Sequence, residues 1–404
     1  MNPLRVLIVS EMSVPYATGG GETRYALLTR QLAARGLDVT WLSMRQRHSP
    51  DSEQLDGVLH LHAGPRIVQP PVRSLMQKLR YMGTVLLHLL LHRYDLVDCQ
   101  PYAPLPAAWL GCWLTRTPMI GSIHDTSAPA GRPGAADDQW LSGTDRRLAA
   151  FVEGRLYRLG YDQVLTGADS VRQDLVQRFG VPASRVSVAA NGVDVPALVA
   201  CPRDAHACDI VFVGRLIPHK HPEDFLAAAA RVSARRQAQG RPRLRLKLIG
   251  GGPLEDSVRQ RAGELGLLDD LLCWGEVPRH EEVVGHIQSA QVLVLPSTRE
   301  GFGLVLAEAM ACGTAVLAYD IAAVRETVGP ALGEALVPAG DVGALADGIE
   351  RLLDEPERRA AQVTAGRARV SECFDVRDFA ARVLAVYTRT LQRHRARKAS
   401  RPLP

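Results

Sequence analysis

The feature that most limits the fold is a rhythm. Short uninterrupted apolar runs, each of strand length, alternate with longer amphipathic stretches over nearly the whole chain. The first run, "LRVLIVS", leads through a Gly-rich turn, "TGGGET", into a helical pattern, "TRYALLTRQLAARG", that closes on Gly36 before the next run, "LDVTWLS". Runs that are apolar on both faces are strands buried on both faces, the condition of a parallel sheet covered by helices. Further runs follow at "YDLVDCQ", "PMIGSIHD", "QVLTGA" and "RVSVAANG". The rhythm restarts at "CDIVFVGRL" and continues through "LRLKLIGGG", "LLCWGEV", "AQVLVLPS" and "TAVLAYD". At 404 residues the chain exceeds one ordinary core. The economical fold is α/β, two successive doubly wound, Rossmann-like units.

Within that fold the expected domains are 1–196 and 209–375, joined by a linker at 197–208, with a helix at 376–396 and a basic, disordered tail at 397–404. The linker holds "CPRDAHAC", but Cys201, His206 and Cys208 match no zinc spacing, and seven scattered cysteines without a Cys-x-x-Cys read as reduced thiols. No metal is expected. The opening apolar run is too short for a secretory signal, and no window approaches the ~20 apolar residues of a membrane span. A cytoplasmic location is the expectation, with peripheral contact at the inner membrane face left open. That contact would fall on "VRSLMQKLRYMGTVLLHLLLHRYD", where basic residues border a long apolar face. The same segment also reads as an ordinary helix packed on the sheet. A net charge of +5, from 48 Lys and Arg against 43 Asp and Glu, is a mild excess spread over the chain and gives no reason to expect nucleic acid.

Ligands of open α/β sheets bind outside the carboxyl ends of the strands, and four loops there look equipped for an anion. In "TGGGET", Gly19 and Gly20 bare the backbone before a helix start; Gly-rich turns are also common between strand and helix. In "VFVGRLIPHK", Gly214 ends a strand, and Arg215 and Lys220 would suit a diphosphate, although two solvated cations read the same way. In "LIGGGPLED", Gly251 and its neighbours permit either a tight bend or a close nucleotide. In "STREGFGLVLAEAMACGTAV", Glu300 precedes Gly301, Phe302 and Gly303, the helix opens at Leu304, and Glu308 lies inside an apolar run. Free N–H groups at that helix start can face phosphate oxygens. Two carboxylates, each an acceptor for vicinal hydroxyls, would grip a long ligand at two places.

Taken together, these stretches resemble the retaining GT-B glycosyltransferases of family four. The resemblance covers most of the chain. It rests on "GGGETRYALLTRQLAARGLDV", "HD" at His124-Asp125, "NGVD" at Asn191–Asp194, "VGRLIPHK", "IGGGP" and the Glu-x7-Glu of Glu300 and Glu308, in the family's order. It implies two Rossmann-like domains facing a cleft, acceptor on the first and nucleotide-diphospho-sugar on the second, with the C-terminal helix packing back on the first domain. It further implies that Arg215 and Lys220 neutralise the leaving diphosphate, that Glu300 contacts the donor sugar and Glu308 the ribose, and that Gly20 approaches the phosphates. His124 would sit near the transferred sugar, and the base near Trp274 to Val277. The transferred group would be a hexosyl unit from a UDP- or GDP-sugar such as GDP-mannose. The acceptor would be a sugar, a lipid-linked or a small molecule, reached by front-side attack with no metal and no cofactor. One departure is "DIAAVRE", with Ala322 and Ala323 where the family usually has two glycines before a glutamate, here Glu326. A glycosyl phosphorylase of the same architecture and a non-catalytic sugar-nucleotide-binding protein are the rival readings.

Overall fold

The computed structural model describes residues 3–17, 19–67, 74–126 and 153–399. Its described residues fall into two compact units. One takes in the residues up to Thr126, from 153 to Gly192 and from Val376 onward; the other is Val193–Asp375.

The first unit is built on a sheet whose centre is β1 (Arg5–Val9), with β2 (Asp38–Gln46) on one side and β5 (Leu96–Cys99) on the other, all parallel. Beyond β5 come β6 (Met119–Ser122), β7 (Gln163–Thr166) and β8 (Val186–Val188), also parallel. Beyond β2 lies a hairpin, β3 (Ser52–Leu55) and β4 (Val58–Ile67), in which β4 runs parallel to β2 and β3 antiparallel to β4. The sequence reading has no strand here. "VLHLHA" alternates apolar residues with histidines, so it lacks the continuous apolar run by which its neighbours are recognised.

Helix α1 (Gly20–Ala34) packs Tyr25, Leu28 and Leu32 into this unit's core with Trp41 and Ile8. The closing helix of the chain, Val376–Ala399, adds Phe379, Val383, Val386 and Tyr387 to the same core. It takes in residues 397–399 of the expected basic tail, 397–404. Core and helices meet at Asp98, which is fully buried and accepts hydrogen bonds from Tyr25 (3.2 Å), Ser122 (2.6 Å) and Tyr387 (2.6 Å). Burial pushes its carboxyl pKa up, against the nearby Arg24 charge and these three donors. Helix α2 (Leu75–Leu91) begins at a capping box made by Ser74 and Gln77. It buries Tyr81, Val85 and Leu89 and leaves its opposite side exposed. Helix α3 (Pro104–Thr115) packs beside it.

The second unit is an all-parallel sheet centred on β9 (Cys208–Val213). On one side are β10 (Leu246–Ile249) and β11 (Leu271–Gly275); on the other, β12 (Ala290–Leu295), β13 (Ala315–Tyr319) and β14 (Leu336–Val337). The winding direction changes at β9, so the loops after β9, β10 and β12 converge at the switch point, where such sheets bind ligands. Phe212, Phe225, Leu248, Val294 and Ile349 are among the core residues under them.

The segment 197–208, expected as a linker, is held against this unit. Residues Val195–Ala200 form a short helix, and Cys208 already belongs to β9. Between them Asp204 takes the ammonium of Lys247 at 2.7 Å, a lysine only 1% exposed on β10. A buried ammonium needs a paired carboxylate, and this pair fastens the loop to the sheet. Among the described residues no group of His, Cys, Asp and Glu has a metal-holding arrangement.

Candidate active site

After β9 the backbone turns sharply under constraint from the loop after β10. Gly214 N–H donates to Ile249 O (3.0 Å), Leu216 N–H to Gly251 O (2.9 Å), and Leu254 N–H to Leu216 O (3.1 Å). A Cβ on Gly250 would fall on the carbonyl oxygen of Gly214, and one on Gly252 on the backbone of Leu216. These two glycines, at φ 145° and 157°, therefore serve the close approach of two backbones. Gly251 is different. Its added Cβ would meet only the Glu276 side chain, at 3.4 Å, so packing alone does not demand a glycine there.

The turn continues through a 3-10 segment, Pro218–Lys220, to His221 in the left-handed region (φ 47°). The loop after β12 is tied to it, with Thr298 N–H donating to His219 O (2.9 Å) and Thr298 Oγ1 meeting His221 Nε2 (3.2 Å). This junction brings Lys220 and Glu300 together at 2.5 Å, both side chains mostly buried. The stem of Lys220 passes over Gly214, its Cδ 3.9 Å from where a Cβ would stand. Arg215 reaches solvent beside it.

His219 reports the field in this corner. Burial first, then the charges of Arg299, Lys220, Arg215 and His221, push its pKa down to about 2. Arg299, which the sequence reading passed over, is thus a third cation of the site. Arg215, Lys220 and Arg299 thus gather beside the Glu300 carboxylate, a place suited to an anion.

Glu300 leads through Gly301 into Phe302 and Gly303. Gly303 sits at φ 83° and is the N-cap of helix α9 (Leu304–Cys312), where no side chain caps the first turn. (In chain order, α4 is Asp169–Gln177, α5 Val195–Ala200, α6 Pro222–Ala238, α7 Glu255–Glu264 and α8 His280–Gln288.) The side chain of Phe302 is turned away, edge-on to Phe374 at 5.0 Å, and its carbonyl accepts from Thr327. Leu304 is buried too, so Phe302 and Leu304 have only backbone to offer a ligand. Glu308 is 5% exposed, and its Oε1 lies 3.2 Å from His280 Nε2 at the start of α8. Burial disfavours the charged imidazole, but the charge of Glu308 and its hydrogen bond outweigh this and raise the His280 pKa. His280 was not legible as a site residue, because its partner is on another helix.

Trp274 lies on β11 with its ring against the core and its Nε1 buried without a partner. Just beyond the strand end Glu276 is exposed and Val277 half-buried. After β13 the helix Ala322–Val328 starts with Ala322 exposed and Ala323 buried, and the Glu326 carbonyl accepts from Arg369 (2.7 Å).

Gly19, Gly20 and His124 belong to the first unit. Gly19 is the extended N-cap of α1, and the carboxylate of Glu22 lies over it, 2.5 Å from an added Cβ; that helix start already faces an acidic group. His124 is half-buried, edge-on to Tyr25 at 5.6 Å, with Nε2 unpartnered. Burial, then the Arg24 charge, holds its pKa well below the usual value, so its ring is neutral. Arg24 itself is 1% exposed, donates from Nε to Asn191 Oδ1 (2.9 Å) and lies over the rings of Tyr25 and Phe379.

Residues 18–196 match glycosyltransferase family 4, and residues 205–369 match glycosyl transferases group 1. The D-inositol 3-phosphate glycosyltransferase of Thermobispora bispora is 30% identical over 407 residues, which cover 93% of this chain and 91% of that protein. The chain belongs to glycosyltransferase family 4. It is a glycosyltransferase, and its paired doubly wound units are of the GT-B type. Two solved structures carry the same fold. Sucrose-phosphate synthase from Thermosynechococcus elongatus has a TM-score of 0.76 at 22% identity, over 96% of this chain and 98% of that one. HepE of Anabaena, in complex with UDP and glucose, has a TM-score of 0.72 at 19% identity, over 95% and 99%.

Proposed function

We propose that this family 4 glycosyltransferase moves a hexosyl group from a UDP- or GDP-sugar to an acceptor hydroxyl, with retention of configuration and without a metal. The observation that carries the reading is the cluster of Arg215, Lys220 and Arg299 around His219, closed by the Lys220–Glu300 contact of 2.5 Å. A nucleoside diphosphate brings two or three negative charges, and these cations can offset part of that charge without a divalent ion. Preorganised positive groups aimed at the departing oxygen are the largest single source of rate in such chemistry, removal of one costing about 10²–10³ in kcat.

On donor binding Lys220 turns from Glu300 to the diphosphate, and Glu300 accepts from hydroxyls of the sugar. Glu308 takes the ribose hydroxyls, with His280 fixing its carboxylate. The N–H groups at the start of α9 and the bare backbone of Gly301 face phosphate oxygens, while the nucleotide passes Gly251 toward Glu276 and Val277. The bond from the anomeric carbon to the leaving oxygen breaks, and the diphosphate takes the electron pair. The acceptor oxygen bonds the same face of that carbon and gives its proton to the departing phosphate oxygen. The related protein of Thermobispora bispora is named for an inositol phosphate acceptor and HepE is described with UDP and glucose; both are compatible with a sugar or polyol acceptor and a uridine donor.

The test is a transfer assay with UDP-, GDP- and ADP-sugars and, separately, with sugar 1-phosphate. Release of a nucleoside diphosphate with product of retained configuration, undiminished by chelator, supports the reading. Turnover of sugar 1-phosphate alone would replace it with a phosphorylase.

A further inference from the structure

Helix α2 carries large apolar side chains on two opposite sides. Tyr81, Val85 and Leu89 are buried on one side; Leu75, Met76, Leu79, Leu87, Leu90 and Leu91 are between 45% and 72% exposed on the other. At 100° per residue, Met76, Leu79, Gly83, Leu87 and Leu90 form one stripe opposite the buried side. Helix α3 lies against α2, with Gly111 so close to Leu89 that an added Cβ would stand 2.8 Å from Leu89 Cδ1. It exposes Leu110, Trp113 and Leu114, the tryptophan by 66%. Single exposed leucines are ordinary, but nine large apolar side chains on two adjoining helices need a partner.

We propose that this face docks on an anionic lipid bilayer. Neither helix carries an Asp or Glu, whereas Lys78 and Arg80 lie on α2, and His92, Arg93 and Arg116 follow the two helices at once. Of the acids beside the two helices, Asp95 is engaged by the backbone N–H of Arg5 (2.8 Å) and Glu11 by that of Ala103 (3.3 Å). Long basic side chains reach headgroup phosphates while their stems stay with the apolar face. A second copy of this chain would set the same positive rim against itself. Helix α2 is about 25 Å long, and no described helix is long and apolar enough to cross a membrane, so the face lies in the interfacial plane. An open groove of about 510 Å³, bounded by Arg80, Gly83, Thr84 and Leu87 with Gly64 and Pro65, leaves room for a lipid beside a guanidinium.

The full-length protein is sedimented with vesicles of phosphatidylcholine and with vesicles of equal parts phosphatidylcholine and phosphatidylglycerol. Wild type should pellet with the anionic vesicles, less so at high salt, and weakly with neutral ones. Lys78→Gln/Arg80→Gln should lower binding to anionic vesicles at least ~10-fold, each cation near such a surface being worth about as much as a several-fold change. Leu79→Gln/Leu87→Gln/Leu90→Gln should lower it on both vesicle types. Unchanged melting curves confirm that these exposed substitutions leave the fold intact, and the charge pair tests the proposal even if the leucine triple does not fold. Equal vesicle binding by wild type and the charge pair would overturn the proposal. So would a lipid-free dimer in sedimentation velocity that the leucine substitutions disperse.

Discussion

Replacing Lys220 by alanine does two things at once. It removes one of the three cations around His219, and it strands the Glu300 carboxylate, whose side chain is 10% exposed. Removing one partner of a fully buried pair costs about 3–5 kcal/mol and of a surface pair about 0–1. With side chains at 15% and 10% exposure, a loss of about 1–3 kcal/mol is expected. On the reaction, the missing ammonium should lower kcat by about 10²–10³, and the stranded carboxylate then repels the diphosphate as well. Adding Glu300→Gln to Lys220→Ala should therefore restore most of the stability but little of the rate, since the glutamine still makes a poorer partner for sugar hydroxyls. The assay is urea unfolding and steady-state turnover on wild type, the two single variants and the double. If Lys220→Ala unfolds earlier but turns over within a few-fold of wild type, the pair is structural and the reasoning fails.

Other outcomes follow from the same geometry. Glu308→Ala should raise the donor KM with a smaller change in kcat; an effect confined to kcat at saturating donor would remove Glu308 from the ribose. The His280 pKa is raised above its unperturbed 6.5, so its pair with Glu308 contributes fully below about pH 6.5 and is lost as pH rises through the folded value. The stability gap between wild type and His280→Gln should accordingly be wider at acid than at alkaline pH, read by thermal unfolding at both. Gly250→Ala, with its Cβ on Gly214 O, should cost about 2–4 kcal/mol, whereas Gly251→Ala should stay within about 1 kcal/mol and raise the donor KM.

The alternation of strands and helices was open to reading because buried parallel strands are continuous apolar runs, and β1, β9 and β12 are each of that kind. The β3–β4 hairpin was not, since its histidines at alternate positions mimic a polar loop. In the site, glycines and charges that sit in one loop were visible as such, but their purposes were not. Gly250 and Gly252 answer to Gly214 and Leu216, a strand away. Phe302 and Trp274 turn their rings to the core, and side-chain direction at a strand end or helix start depends on what packs behind. His280, Arg24 and Arg299 gain their significance only from partners distant in sequence: Glu308, Asn191 and His219. The sequence shows each as one more polar residue.

The central claim is that Arg215, Lys220 and Arg299 form a receptor for a diphosphate. Isothermal titration of wild type and Arg215→Gln with UDP against UMP, and GDP against GMP, addresses it directly. The account predicts that the terminal phosphate strengthens binding at least ~10-fold in wild type for the preferred base, and that this increment largely disappears in Arg215→Gln, a charge-assisted hydrogen bond to phosphate being worth about 1.5–3 kcal/mol. A diphosphate that binds no better than the monophosphate, or an increment that survives the substitution intact, would contradict it.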